Sequence, residues 1–359
     1  MNQHYVPRLY LKNFSTKRGK EYFVDVCESE TKEPFNVNIK KICAEKDLYT
    51  LDKDSTFHKD SLVFEKIYAQ WIEPLYEQAY SILTNDSIFR ISTKQRIDIL
   101  TSILQLYYRN PHIMTDSLDK TRKDMKQIFS DKNTNNEGFT YLSKHFKYND
   151  WDEETVVSFF EKELSKEYKE KHLLETQRGI EFHKNSIIEV YKIIDNGLFI
   201  TSDNPLAIED PINPTRNIQL KSKEFTVPLN HKYAVKIYHD NTKDLNRIYR
   251  ARIPHGNANS MNSTLYKQKI RFIIGKKESF EQFFHLSKIF NSTSVDFIMS
   301  GMRQIVEKFP VTKDSANAHH VIKFYVDKYD REGTLTNKEM REMHLILKQL
   351  GIEKKRKEI

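Results

Sequence analysis

The spacing of apolar and polar positions changes twice along the chain, and each change predicts a change of secondary structure. Up to about residue 51 the apolar residues come in short runs. Glu21-Tyr22-Phe23-Val24-Asp25-Val26-Cys27 is rich in aromatic and β-branched residues, and Phe35-Asn36-Val37-Asn38-Ile39 alternates apolar with polar, as a half-buried strand does. Asp47-Leu48-Tyr49-Thr50-Leu51 reads as a further short strand. From about 60 to 185 the period becomes helical. Leu62, Phe64, Ile67, Trp71, Leu75, Tyr76, Ala79 and Leu83 recur at helix spacing, and Pro74 is expected to bend or break that helix. Ile97, Leu100, Ile103, Leu104 and Tyr107 repeat the pattern up to Arg109-Asn110-Pro111, where the proline disfavours α geometry in the residue before it. Helices are also predicted over 115–129 and from 156 to 183, with a turn-rich loop at 133–138 between them.

Strands return after 185, at 187–194, 198–201, 225–229 and 233–238, joined by Asp-Asn-Gly, Asp-Asn-Pro and Asn-His turns. A helix at 257–265, a strand at 270–274 and a helix at 278–290 follow. From about 310 the pattern reads helix, turn, helix and a basic end, Lys354-Lys355-Arg356-Lys357. Strands, then helices, then strands is an α+β order rather than a regular βαβ alternation. The predicted architecture is a mixed or antiparallel sheet from the N-terminal and central strands, a large helical insertion at about 60–185 and a C-terminal helical hairpin. The core would span 1–306 and the extension 307–359.

Composition narrows the class. The chain has 359 residues, with 22 Phe and 19 Tyr to fill a core although hydrophobic residues total only 38%. No apolar run approaches the roughly 18 residues of a membrane span, and nothing in the opening residues predicts secretion. Cys27 and Cys43 are the only cysteines, too few for a disulfide framework or a four-cysteine zinc site. A reducing cytoplasm is the expected setting, and the Lys, Asn and Ile richness suggests a bacterial source. The net charge of +8 mixes 58 basic with 50 acidic residues, which permits nucleic acid as a partner without requiring it.

The opening run is His4-Tyr5-Val6-Pro7-Arg8-Leu9-Tyr10-Leu11-Lys12-Asn13-Phe14. With Asp47-Leu48-Tyr49, Arg109-Asn110-Pro111, Phe199-Ile200-Thr201-Ser202-Asp203-Asn204-Pro205 and Phe225-Thr226-Val227-Pro228-Leu229, it resembles the bacterial family known as domain of unknown function 4238 over about residues 4–275. The resemblance implies a shared fold and assigns no activity. The tail beyond about 310 departs from it.

Several residues carry chemistry that could be functional. His4 suits a metal ligand or general base, with Asn13 orienting a partner. Asp203, at a strand end, suits a metal or an activated water, and Asn204 a ligand contact; an Asx turn accounts for both equally well. Arg109 suits a phosphate clamp, or serves the last carbonyls of its own helix. Asn259 would face a pocket, unless its stretch caps a helix. Convergence of His4, Arg109 and Asp203, with a divalent metal on His4 and Asp203, would suit phosphodiester cleavage. The leading expectation is therefore a metal-dependent nuclease or other nucleic-acid-processing enzyme in a defence or toxin setting. The alternatives are a non-catalytic binding module and a hydrolase of small molecules. The aromatics and Pro7 of the opening run read as sheet and core. Lys328 to Glu339 falls short of a calcium loop, because a lysine stands at its first position. Thr336 and Glu339 read instead as a capping box.

Overall fold

A computed structural model of the chain describes residues 2–53, 55–131, 137–209, 224–291 and 316–332, with isolated positions between 299 and 342. The fold is α+β. Strand β1 (Asn2–His4) leads through Pro7 into helix α1 (Arg8–Lys12), and strands β2 (Thr16–Arg18), β3 (Glu21–Cys27), β4 (Phe35–Asn38) and β5 (Ala44–Lys46) follow. The opening run is thus a strand and a short helix whose Val6, Tyr10, Leu11 and Phe14 are buried. The strand expected at 47–51 lies three residues earlier, as β5 paired with β1. Residues 47–50 form a turn closed by the Thr50 N–H on the Asp47 carbonyl at 3.2 Å. Asp47 enters it at φ +55°, a region that Asp tolerates better than most residues.

The helical insertion begins with α2 (Val63–Ile67), a π-helical turn (Tyr68–Ile72) and α3 (Glu73–Thr84). Pro74 does not break the helix. It sits in the first turn of α3, where a missing N–H is tolerated. Phe64, Tyr68, Tyr76, Ala79 and Leu83 are buried, whereas Trp71 of the expected stripe is 69% exposed. Helix α4 (Thr93–Tyr108) starts at a capping box of Ser92 and Gln95. Helix α5 (Thr115–Ser130) is followed by a hairpin, β6 (Gly138–Tyr141) and β7 (Lys144–Lys147), and then by α6 (Glu153–His183). Periodicity did not predict this hairpin. Its turn has positive φ at Leu142 and Ser143, residues that carry none of the Asn-Gly signature of such turns.

The main sheet is built on β8 (Ser186–Ile193). In space it runs β10 (Ala207–Glu209), β11 (Glu224–Pro228), β12 (Tyr233–His239), β8, β13 (Ile248–Ile253), antiparallel except for β13 beside β8. The unexpected β13 carries Arg250, whose guanidinium donates to the carbonyls of Ile82, Leu83 and Ile88 at 2.9–3.1 Å and ties the sheet edge to the end of α3. A second sheet centres on β3, which pairs with β2, β4 and β14 (Ile273–Gly275); β14 also pairs with β9 (Thr201–Ser202). Helices α7 (His255–Gln268) and α8 (Lys277–Asn291) complete this part. One core holds α1, α3 and α4 against the main sheet, through residues such as Tyr10, Leu83, Ile103, Val190 and Val235.

Near the C-terminus, helix Ala316–Glu332 packs Ile322, Tyr325 and Val326 with Met299 and Met302. The helix runs through the first five positions of the calcium-like stretch, and Lys328 pairs with Glu339 and, at 3.7 Å, with Glu332. Thr336 and the basic run 354–357 lie outside the described residues. Cys27 and Cys43 are buried free thiols. Among the described residues no helix is long and apolar enough to cross a membrane.

Candidate active site

Hydrogen bonds draw the distinctive sequence stretches together. The Tyr10 hydroxyl donates to the Pro228 carbonyl at 2.8 Å and so accepts from the Thr201 hydroxyl at 2.6 Å. Gln3 Oε1 accepts the Tyr49 N–H at 2.6 Å. The hydroxyls of Tyr49 and Tyr168 both donate to the Arg109 carbonyl, Tyr168 at 2.6 Å, and satisfy an acceptor left open at the end of α4. Asn110 Nδ2 donates to the Asp203 carbonyl at 2.9 Å. The opening run, the 47–50 turn, the end of α4 and the 199–205 stretch thus meet in one network.

Arg109 lies at its centre and is only 2% exposed. Its guanidinium carbon stands 3.9 Å from the centroid of the Tyr68 ring and 5.6 Å from that of Tyr49, a stacked cation–π arrangement. Nη1 reaches Glu73 at 3.5 Å, a long contact to a side chain that is 32% exposed. Burial works against the charge, but Tyr49, Tyr68, Glu73 and Glu65 outweigh it and the guanidinium holds its proton more firmly than usual. Nε has no hydrogen-bond partner in the protein, and the same is true of Gln3 Nε2, the Tyr68 hydroxyl, Glu65 Oε2 and His172 Nε2. His172 packs against Tyr49, Tyr68 and Tyr168. Its Nδ1 faces the carbonyls of Tyr168 and Lys169 at 2.9 and 3.0 Å, so Nδ1 carries the proton and Nε2 offers a lone pair. Buried polar groups are nearly always hydrogen-bonded in native proteins. These five atoms, one of them on Arg109 itself, offer both donors and acceptors to a polar ligand.

His4 and Glu65 border the cluster. His4 Nε2 lies 3.2 Å from the Ile39 carbonyl, which makes Nε2 the protonated nitrogen and leaves Nδ1 as a base. Burial lowers its pKa to about 4; the Ile39 contact opposes the shift, and Arg8 and Arg109 add to it. Burial raises the Glu65 carboxyl above its ordinary range; Arg109 opposes this and Glu73 adds to it. Burial thus favours the neutral imidazole and the protonated carboxyl, and both groups feel the Arg109 cation, features that acid–base chemistry on an anion can use.

Of the other sequence-derived candidates, Asp203 and Asn204 hold the backbone. Asp203 Oδ1 accepts the Ile270 N–H at 2.9 Å, and Oδ2 accepts those of Arg271 and Phe272 at 2.7 and 3.2 Å. Burial raises its pKa while these donors oppose the rise. Asp203 is committed to the 270–272 turn through both carboxylate oxygens, whereas His4 keeps Nδ1 open. Among the described residues no three or more His, Cys, Asp or Glu side chains are grouped to hold a metal. Asn204 Nδ2 donates to the Gln268 carbonyl at 3.0 Å and Asn13 Nδ2 to the Tyr76 hydroxyl at 3.1 Å. Asn259 is buried on α7 with Oδ1 unpartnered in the protein. The cap of α7 comes from a distance, since Asp195 Oδ2 accepts the His255 N–H at 2.8 Å. Asp203→Asn should lower unfolding free energy by about 2 kcal/mol, because an amide offers one acceptor where three N–H groups now converge on two. An unchanged urea midpoint would contradict that structural role.

Sequence reading missed Gln3, Glu65, Tyr68, Tyr168 and His172. A signal for the last two was present: Tyr168, His172 and Thr176 interrupt the buried stripe of α6 at four-residue spacing. A polar series on a buried helix face calls for partners.

The model of the family described as Protein of unknown function (DUF4238) matches residues 2–279. That span contains every residue of the Arg109 cluster and excludes the helix at 316–332. No curated protein and no solved structure matches the chain.

Proposed function

Because the chain belongs to the DUF4238 family, whose description assigns no activity, we propose a function from the site itself: cleavage of phosphodiester bonds in nucleic acid. The observation that carries this reading is the buried, ring-stacked Arg109 with an unused Nε beside His4 and Glu65. Arginine binds a phosphate oxygen through directed N–H groups. His4 Nδ1 takes a proton from the attacking water, whose oxygen forms the new P–O bond. The bond to the leaving sugar oxygen breaks, and Glu65 supplies the proton which that oxygen needs. No step passes through a metal on His4 and Asp203.

The test is incubation with end-labelled single- and double-stranded DNA and RNA, with and without magnesium. His4→Ala and Glu65→Gln should each lower cleavage by about 10²-fold or more. The wild-type rate should rise as pH climbs past about 4, where His4 loses its proton, and fall once Glu65 ionises. Glu65→Gln should remove the alkaline limb alone. A second reading, a binding module without turnover, is favoured by the structural use of Asp203, Asn204 and Asn13. Tight binding with no cleavage in any condition would select it.

A further inference from the structure

We infer that the substrate of this site is single-stranded nucleic acid, with an unpaired base stacked on Trp71; the inference rests on the nucleic-acid reading above. At 69%, Trp71 is the most exposed large hydrophobic side chain among the described residues. The other tryptophan, Trp151, packs edge-on against Phe146 and Phe159. Trp71 belongs to the π-helical turn Tyr68–Ile72, and such turns recur at functional sites. The turn begins with the residue whose ring lies under the Arg109 guanidinium, and Glu73, the ion partner of Arg109, comes two residues after Trp71. Its backbone is therefore fixed to the site while its indole faces solvent.

A second exposed ring grows from the same cluster. Phe57 is 55% exposed and stacks on Phe64 at 5.6 Å, and Phe64 meets His172 edge-on at 4.7 Å. Arg8, exposed on α1, is close enough to depress His4 and Glu65. Exposed rings and an exposed cation attached to one site suit a single strand: cations follow the phosphates and rings take up bases. A duplex keeps its base faces stacked on one another, so neither ring could use them.

Trp151→Phe leaves Trp71 as the sole tryptophan and turns it into a reporter. A short oligothymidylate and a short oligouridylate should quench its fluorescence, and a blunt duplex of equal length should not. Trp71→Ala should weaken single-strand binding by about tenfold to a hundredfold in an anisotropy titration, with duplex binding and the urea midpoint unchanged. Equal single-strand affinity in Trp71→Ala and wild type would overturn the inference and leave phosphodiester cleavage standing. Absence of both binding and cleavage for every oligonucleotide would overturn both. Equal loss of single-strand and duplex affinity would also overturn the inference, since it would make Trp71 a general contact.

Discussion

Arg109→Ala is expected to cost about 3 kcal/mol of folding free energy and to abolish turnover. The stability loss has two sources. The guanidinium lies against two tyrosine rings at 3.9 and 5.6 Å, and alanine leaves that space unfilled. Glu73 loses its cation partner. Removing one member of a buried pair costs about 3–5 kcal/mol, and the lower figure applies here because Glu73 is partly solvated. Arg109→Lys separates stability from chemistry. Lysine keeps the charge but not the flat face or the second line of donors. It should retain most of the urea midpoint while cleavage falls by about 10²-fold. A lysine variant as active as wild type would show that the site needs only a positive charge, and the clamp would have to be abandoned.

How much of this site was legible in the sequence depends on the kind of residue. The stretches that meet at Arg109 each carry a local signature: a histidine–aromatic opening run, a helix ending before Pro111, a strand ending in Ser-Asp-Asn-Pro. What joins them is not local. The Tyr10 hydroxyl links Thr201 to Pro228, and the Tyr49 and Tyr168 hydroxyls meet on one carbonyl. A tyrosine in an apolar run reads as core, and nothing in the run says where its hydroxyl will be needed. Asp203 and Arg109 illustrate the opposite hazard. Both are charged residues at element ends, where turn, cap and catalytic roles share one pattern. The structure gives the Asp203 carboxylate to three backbone N–H groups and leaves the Arg109 Nε unused. Likewise Trp71, expected in the buried stripe, lies in the π turn before Pro74 and is exposed, while Tyr76, Ala79 and Leu83 beyond the turn are buried as the stripe predicts.

The histidines predict an acid-sensitive fold. His4, His172, His231 and His255 are each held near a pKa of about 4 by burial, against roughly 6.5 in an unfolded chain. Between these values the unfolded state binds protons that the folded state refuses, so stability rises with pH across this window. The contribution is fully present above about 6.5 and is lost as pH falls through the window toward 4. His172 is 1% exposed, and its shift from 6.5 to about 4 corresponds to about 3 kcal/mol. His4 is partly solvated and contributes less. The raised carboxyls of Glu45, Glu65 and Asp203 act with the opposite sign, gaining protons first in the folded state, and offset part of the loss. The measurement is a series of urea unfolding curves from pH 7.5 to 4.5. His172→Phe keeps a ring among Tyr49, Tyr68 and Tyr168 and removes the titration. Its stability should fall by about 3 kcal/mol less than that of wild type across the series, and coincident slopes would place the acid sensitivity elsewhere in the protein.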